Sequence, residues 1–527
     1  MFDKLTGLPA HKYLQVLGTF ILAVGLPLNK VVMSIGTIWL ATNLLLKGDF
    51  KAYMSNWKKQ LVAWFIVAIF LVHIIGLFYS TDLDYAFRDI KTKLPLLVIP
   101  LALIGYPLIK EHIHIVLKGF LASLLITSVI NWLNMSYSNN TGEVVDFRDV
   151  SLFGSHIRYG LLIVMGVVIS LYYVMKQPKL FFIWIPLVSW FTYYTAIGQV
   201  LGGYIAFVFV IIAIVVYFIR KFKTRLKRGV GFTLLIVLVV LGSFSVINYF
   251  SPNQRDIVFG DLPALTEKGN SYYHDTTFLW FENGNHVMSY ISEKELKEAW
   301  NKRSDKAYET VGPNGHKLKS ALFRYMSSKG LTKDAEGMKQ LTVQDIKNIE
   351  SGRTSIDNDS NSPFKRFEIL RNQIQNYTIG GDPDGNSLLQ RFEHWKAAID
   401  IIENNWLFGV GTGDVQEAFN QSYTKNNSKL DPKHWNRAHN QLLTFWVSFG
   451  VIGFLLFFVF WKYLFFLFYN RINFLGICFT FIAVASFLSE DTIETQQGVT
   501  FIALFIGLLL GFNKDKPKNL IIKSKYF

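Results

Sequence analysis

The sequence predicts an all-α polytopic membrane protein with about twelve transmembrane helices and one large, mainly helical outer loop between the ninth and tenth. Three observations carry this. Uncharged apolar runs recur through the first 250 and the last 90 of the 527 residues. Only 17% of residues are charged, against about 25% in an average soluble protein, while 51% are apolar and 16% aromatic. The surplus positive charge also sits beside the apolar runs. Residues 251–437 hold 24 Lys and Arg against 25 Asp and Glu, whereas the remainder holds 29 against 13 and so accounts for the net +15. Basic flanks of membrane spans follow from the positive-inside rule, so nucleic acid is not needed as a partner. A soluble enzyme, a disordered chain and a disulfide-stapled scaffold are excluded. The single Cys478 can form neither an intramolecular disulfide nor a cysteine zinc site.

Taken in order, the predicted spans are 14–27, 31–46, 61–79, 94–108, 113–133, 157–175, 180–197, 200–219, 230–249, 440–461, 473–489 and 498–512. The first two are short and broken at Pro27, which fits a hairpin or one kinked helix, and Tyr106–Pro107 leaves a similar choice. The loop charges arbitrate. With the N-terminus inside, inner segments collect 23 Lys and Arg and the outer ones, apart from the long loop, only six. Both termini are therefore expected to be cytoplasmic. The expected organisation is spans one to nine over 1–250, an outer loop over 251–437, spans ten to twelve over 438–512 and a basic tail over 513–527.

The outer loop divides further into a helical insert (251–365) and a motif-bearing part (366–437). In the insert, Ser292 with Glu295 reads as a capping box, and Gly330 and Gly352 fall where helix C-caps are expected. In the second part, Phe392, Trp395, Ala398, Ile399 and Ile402 form the apolar stripe of a helix lying on a surface, with Trp395 as an interfacial anchor. Arg391 on that helix is either a snorkelling cation or a ligand for an anion. Phe408-Gly-Val-Gly-Thr-Gly413 could bring backbone N–H groups to a phosphate but lacks the preceding strand of a dinucleotide fold. Asp414 with Glu417 is expected to cap the next helix.

Candidate chemistry gathers at the outer ends of the spans. Arg437, His439 and Asn440 open the tenth, where a helix N-terminus favours an anion and His is suited to act as a base. The alternative is a polar cap holding the helix end among headgroups. His156 and Arg158 open the sixth span, Lys93 precedes the fourth, and Glu490, Asp491 and Glu494 occupy the last outer loop. No metal pattern includes His434 or His439. Span centres lack ionisable groups apart from His73, unlike a transporter with polar groups at mid-membrane.

Arg391-x-x-x-Trp395, Phe408-Gly-Val-Gly-Thr-Gly413, Arg437-Ala-His-Asn-Gln-Leu442 and Phe449-Gly-Val-Ile-Gly453, in this order around a large outer loop, resemble the O-antigen ligase and polymerase superfamily. Ser155-His-Ile-Arg158, the run Ser328–Gly337 and the run Glu490–Gln496 are similar to its Bacteroidota-type members. The resemblance implies a membrane glycosyltransferase of a bacterial inner membrane that needs no cofactor or metal. Its donor would be a glycan on undecaprenyl diphosphate, and its acceptor the lipid A-core or a second lipid-linked glycan. It implies His439 as general base, Arg391 and Arg437 on the diphosphate, Arg158, His156 and Lys93 as helpers, and Asn440 orienting His439 or the acceptor. Glu490 and Asp491 would lie on the acceptor side. A ligase is expected ahead of a polymerase, a protein-glycosylating ligase is a third reading, and a transporter or a scaffold are alternatives of another class. Many family members carry Ser-Arg-Gly near the eighth span, but Gly198-Gln-Val-Leu-Gly-Gly203 has no Arg. Arg158 or an outer-loop Lys would have to replace it.

The topology is checked by reporter fusions. Alkaline phosphatase joined after residue 300 should be active and after residue 225 inactive; the reverse pattern would invert the orientation.

Overall fold

The computed structural model describes residues 9–140, 152–153, 155–198, 201–251, 262–277, 280–311, 317–356, 365–378, 383–384 and 386–512. The first ten helices are α1 (Ala10–Gly25), α2 (Lys30–Lys47), α3 (Phe50–Lys58), α4 (Leu61–Leu77), α5 (Leu83–Gly105), α6 (Lys110–Asn140), α7 (His156–Lys176), α8 (Phe181–Gly198), α9 (Leu201–Lys221) and α10 (Arg225–Phe250). A two-residue hairpin, β1 (Phe281–Glu282) with β2 (Asn285–His286), precedes α11 (Glu293–Asn301), α12 (Leu318–Ser328), α13 (Ala335–Lys339), α14 (Val343–Glu350), α15 (Lys365–Thr378), α16 (Ser387–Asn404) and α17 (Val415–Lys425). The chain closes with α18 (Gln441–Asn470), α19 (Phe474–Ser489) and α20 (Gln496–Gly511). The expected tail at 513–527 lies outside the described residues.

A helix overlies each of the twelve expected spans. Among the described residues, six stretches are long and apolar enough to cross a membrane by themselves, at 110–137, 156–176, 178–197, 201–221, 225–250 and 441–470. The helices at 61–77, 474–489 and 496–511 are apolar but shorter, and α2 and α3 form a pair bent by 113°. The protein is thus a polytopic helical membrane protein. Pro27 separates two helices: Asn29 caps the start of α2, and α1 packs back on it through Asn43, which bonds His11 and Gln15. No described residue of α10 is buried, and its Leu234, Leu238 and Phe244 are exposed, as expected of a helix that faces hydrocarbon.

The insert has its own core of Leu296, Trp300, Tyr308, Leu322, Tyr325 and Met326. Gly330 and Gly352 do follow helix ends, with φ of 71° and 86°. The capping box at Ser292 does not form. Ser292 makes no side-chain cap bond, because Glu295 turns instead to Thr266, Asn270 and the Ala335 N–H. A capping box occurs at Thr342 and Asp345. The stripe on α16 is rotated from its expected position. The buried residues are Leu389, His394, Ala397, Ala398 and Ile401, while Ile399 is exposed, because α16 packs on α17 and α18 and not on a flat boundary.

The Gly-rich turn is a clasp. Gly409 and Gly411 have φ of 72° and 91°. Every N–H from Gly409 to Gly413 is spent within the protein, on Asn405 O, Val447 O, Ser448 O, Gly76 O and Ser80 Oγ. None is left for a phosphate. The Val447 and Ser448 carbonyls are free to accept because α18 breaks at Gly450, where φ is 61°. This is how irregular backbone inside a span is satisfied by a neighbouring segment. Asp414 belongs to the same clasp and does not cap α17: its carboxylate accepts from the N–H groups of Thr81 and Asp82 and from the Thr81 hydroxyl.

A Cβ at position 450 would sit 2.1 Å from Leu407 O, in a backbone conformation that disfavours side chains by about 1–2 kcal/mol. Gly450→Ala should therefore lower the thermal midpoint of the detergent-solubilised protein by several degrees. Gly229→Ala, with nothing within 4 Å of the added atom, should leave it unchanged.

Candidate functional site

The site is built on the short loop between α19 and α20. Gln441 at the start of α18, itself fully buried, locks that loop by accepting from the Ile493 N–H and donating to Glu494. Thr444 donates to Asp491 Oδ1 at 2.6 Å. Glu490, Asp491 and Glu494 are 3%, 2% and 5% exposed at residue or side-chain level, so their charges must be met by the protein.

Cations from four segments meet them. Arg391 on α16 donates to Glu490 Oε1 at 2.6 Å, and Arg158 on α7 lies 3.9 Å from Glu490 Oε2. Arg437 donates to Glu494 Oε2 at 3.1 Å. Lys93 on α5 bonds both Glu494 and Asp89. Burial works to raise the Glu490 pKa, but His439, Arg391 and Arg158 outweigh it and hold it below the usual range. Burial likewise opposes ionisation of Glu494, and Lys93 and Arg437 drive it strongly the other way. The Arg391 and Arg158 guanidinium groups each keep a buried Nε–H that no acceptor meets.

His439 stands at the mouth of this cluster with its side chain 35% exposed. Its φ is 46°, a conformation rare for a side-chain-bearing residue, and its N–H is tied to Asp491 Oδ2 at 3.1 Å. The imidazole Nδ1 is buried without a hydrogen-bond partner, 3.6 Å from Glu490 Oε2. Arg391, Arg158, His439, Glu490 and Asp491 therefore form one constellation, and Arg437 with Lys93 a second joined to it through the 490–494 loop.

Three expected site residues stand differently. Lys93 is 1% exposed, so its charge acts through Glu494 and not by open contact with a ligand. The Asn440 side chain caps α18 through the Leu442 and Leu443 N–H groups and donates to Leu488 O, so it fixes the helix start and does not hold the His439 ring. His156 opens α7, half-buried, two residues before Arg158. Sequence reasoning missed Asp89, Gln441 and His394, whose ring lies 5.5 Å from that of His439. The helical offset of Asp89 from Lys93 and the place of Gln441 in the Arg437–Leu442 motif were the signals on offer. Among the described residues no group of His, Cys, Asp and Glu is arranged to hold a metal ion.

Residues 341–458 match the family model described as O-antigen ligase. That segment is similar to the O-antigen ligase family, and it makes up less than a quarter of the chain. The match takes in α14 to the middle of α18 and includes Arg391, the glycine clasp, Arg437 and His439. No curated protein matches the chain. The matched segment thus supplies the imidazole and two of the cations, while Arg158, Lys93 and the three carboxylates come from outside it.

Glu494→Ala leaves Lys93 and Arg437 without their shared anion and should cost about 3–5 kcal/mol, read as a large drop in melting temperature. Both carboxylates have folded pKa values below their unfolded ones. Their contribution is therefore complete above the unfolded value of about 4.3 and is lost only as pH falls through the lower folded values. Melting temperature should hold between pH 7 and 5 and fall below about pH 4. A Glu494→Gln variant should lose part of that acid-dependent fall.

Proposed function

We propose that the protein is an O-antigen ligase that moves a glycan from undecaprenyl diphosphate to the lipid A-core at the periplasmic face of a bacterial inner membrane. The observation that carries the reading is the convergence of Arg391 and Arg158, each with an unmet buried N–H, beside the half-open His439. A diphosphate offers many acceptor oxygens and two or more charges, which is what paired guanidinium groups bind best. Arg391, Arg158 and Arg437 would hold it and stabilise the charge that grows on the leaving oxygen.

In this reading His439 takes the proton of the acceptor hydroxyl. The acceptor oxygen forms a bond to the anomeric carbon as the bond from that carbon to the phosphate oxygen breaks. The electron pair leaves with the diphosphate, and the configuration inverts. Glu490 lies 3.6 Å from Nδ1 and would favour the imidazolium that results. Arg158 fits the role left open by the missing Arg of the Gly198–Gly203 stretch. A Cβ at Gly202 would lie next to Ile157 and Ser489, the chain neighbours of Arg158 and Glu490. A polymerase would use the same site with a lipid-linked glycan as acceptor.

The test is glycan display in a host without its own ligase, read as a gel ladder. Wild type should give long ladders on lipid A-core. His439→Ala and Arg391→Ala, at equal membrane expression, should each reduce them by about 100-fold or more. Ladders from both variants would refute the site. Bare core from the wild type, with chain extension of lipid-linked repeats in the same cells, would make the protein a polymerase.

A further inference from the structure

The buried imidazole of His394 is absorbed by none of the roles above, and its tautomer follows from its neighbours. The Tyr423 hydroxyl is 2.7 Å from Asn436 O and 2.7 Å from His394 Nδ1. A carbonyl can only accept, so the one hydroxyl hydrogen of Tyr423 goes to Asn436 O. The hydroxyl oxygen must then accept from His394, which fixes the proton on Nδ1 and leaves Nε2 with a lone pair. His394 is 1% exposed. Burial, and after it the charges of His439, Arg391 and His434, push its pKa down to about 3, so the ring stays neutral at working pH. It cannot replace His439 as the base.

We propose that His394 is a positioning residue for His439, presenting an accepting Nε2 to the neighbouring imidazole and steadying it as it takes up the acceptor proton. The inference rests on the reading of His439 as the base. The two ring centroids are 5.5 Å apart, the planes tilt by 47°, and His439 Nδ1 meets no hydrogen-bond partner, so the lone pair acts on the neighbouring ring through space. The chain from His394 through Tyr423 ends on the carbonyl of Asn436, three residues before His439, so one network sets both rings. The charged and titratable groups around the pair are Arg158 on α7, Arg391 on α16, Tyr423 on α17, His434 in the segment before α18, and Glu490 with Asp491 in the last loop. Glu490 and the His394 lone pair both favour a protonated His439, and Arg391 and Arg158 oppose it.

The test compares His394→Asn and His394→Gln in purified full-length protein, with transfer followed from a polyprenyl-diphosphate-linked glycan. Asn keeps a donor where Nδ1 was and so keeps the Tyr423 bond, but has nothing in place of Nε2. Gln reaches the Nε2 position with an accepting oxygen. The His394→Asn variant should melt like wild type, lose about tenfold or more in kcat/KM, and move the acidic limb of the pH profile about one unit lower. His394→Gln should recover part of both. Wild-type rate and pH profile in His394→Asn would overturn the proposal, and so would equal losses in both variants with no pH shift, which mark a packing role. Should His394→Asn melt early, Tyr423→Phe takes its place; it releases the tautomer and should shift the same limb, and an unmoved limb would overturn the proposal. His439→Ala is run alongside. If it stays active, the base assignment fails, whatever His394 does.

Discussion

Three carboxylates buried within five residues set the terms for this end of the molecule. An ionised carboxylate away from water is costly unless cations and hydrogen-bond donors surround it closely. Glu490, Asp491 and Glu494 are satisfied only when α5, α7, α16 and the segment leading into α18 all arrive together with Lys93, Arg158, Arg391, Arg437 and the His439 N–H. No single helix could supply those partners. The short loop therefore acts as a hub that fixes elements hundreds of residues apart in sequence, and Gln441 and Thr444 keep the hub itself from turning.

The glycine clasp does the complementary work in the backbone. By fitting against Gly76, Ser80 and the broken turn of α18, residues 409–413 hold the segment that follows α16 against α4 and α18. Side chains there would collide with backbone atoms only 2–3 Å from each added Cβ, so glycine is demanded by close approach. Because the clasp consumes its own N–H groups, an anion bound here, as the proposed function requires, would have to be met by side chains. Those side chains are guanidinium groups whose unmet N–H donors remain beside the hub.

The same economy shapes the imidazoles. His73 bonds the Ile69 carbonyl within α4, and His394 is committed to Tyr423. His439 differs from both in being strained and partly open, and its Nδ1, like His73 Nε2, meets no hydrogen-bond partner. A residue kept in that state by its surroundings is ready to gain interactions when a ligand arrives, which is the sense in which local strain serves a site. Arg391 and Glu490 beside it form a closed pair; in the proposed function a diphosphate would open it, since it offers the guanidinium more oxygens than one carboxylate does.

Much of this was legible in the residues alone. Apolar run length placed a helix on each expected span, and Pro27, Gly330 and Gly352 marked real breaks, because these are local rules of hydrophobicity and backbone sterics. Motif order singled out Arg391, Arg437, His439 and Glu490, which lie together. Local rules failed wherever a side chain had two uses. Glu295 and Asp414 look like helix caps, yet each finds stronger partners far along the chain. The face of α16 was misjudged because its neighbours, and not a membrane surface, decide what it buries. His394 carried no signal and Gln441 only its place in the Arg437–Leu442 motif, since a single imidazole or amide gains meaning only from what stands opposite it. Sequence by itself determined the helices, their apolar character and the cast of charged residues, all short-range properties of the chain. Only the tertiary structure decided which charge meets which, because burial and proximity across hundreds of residues are set by packing.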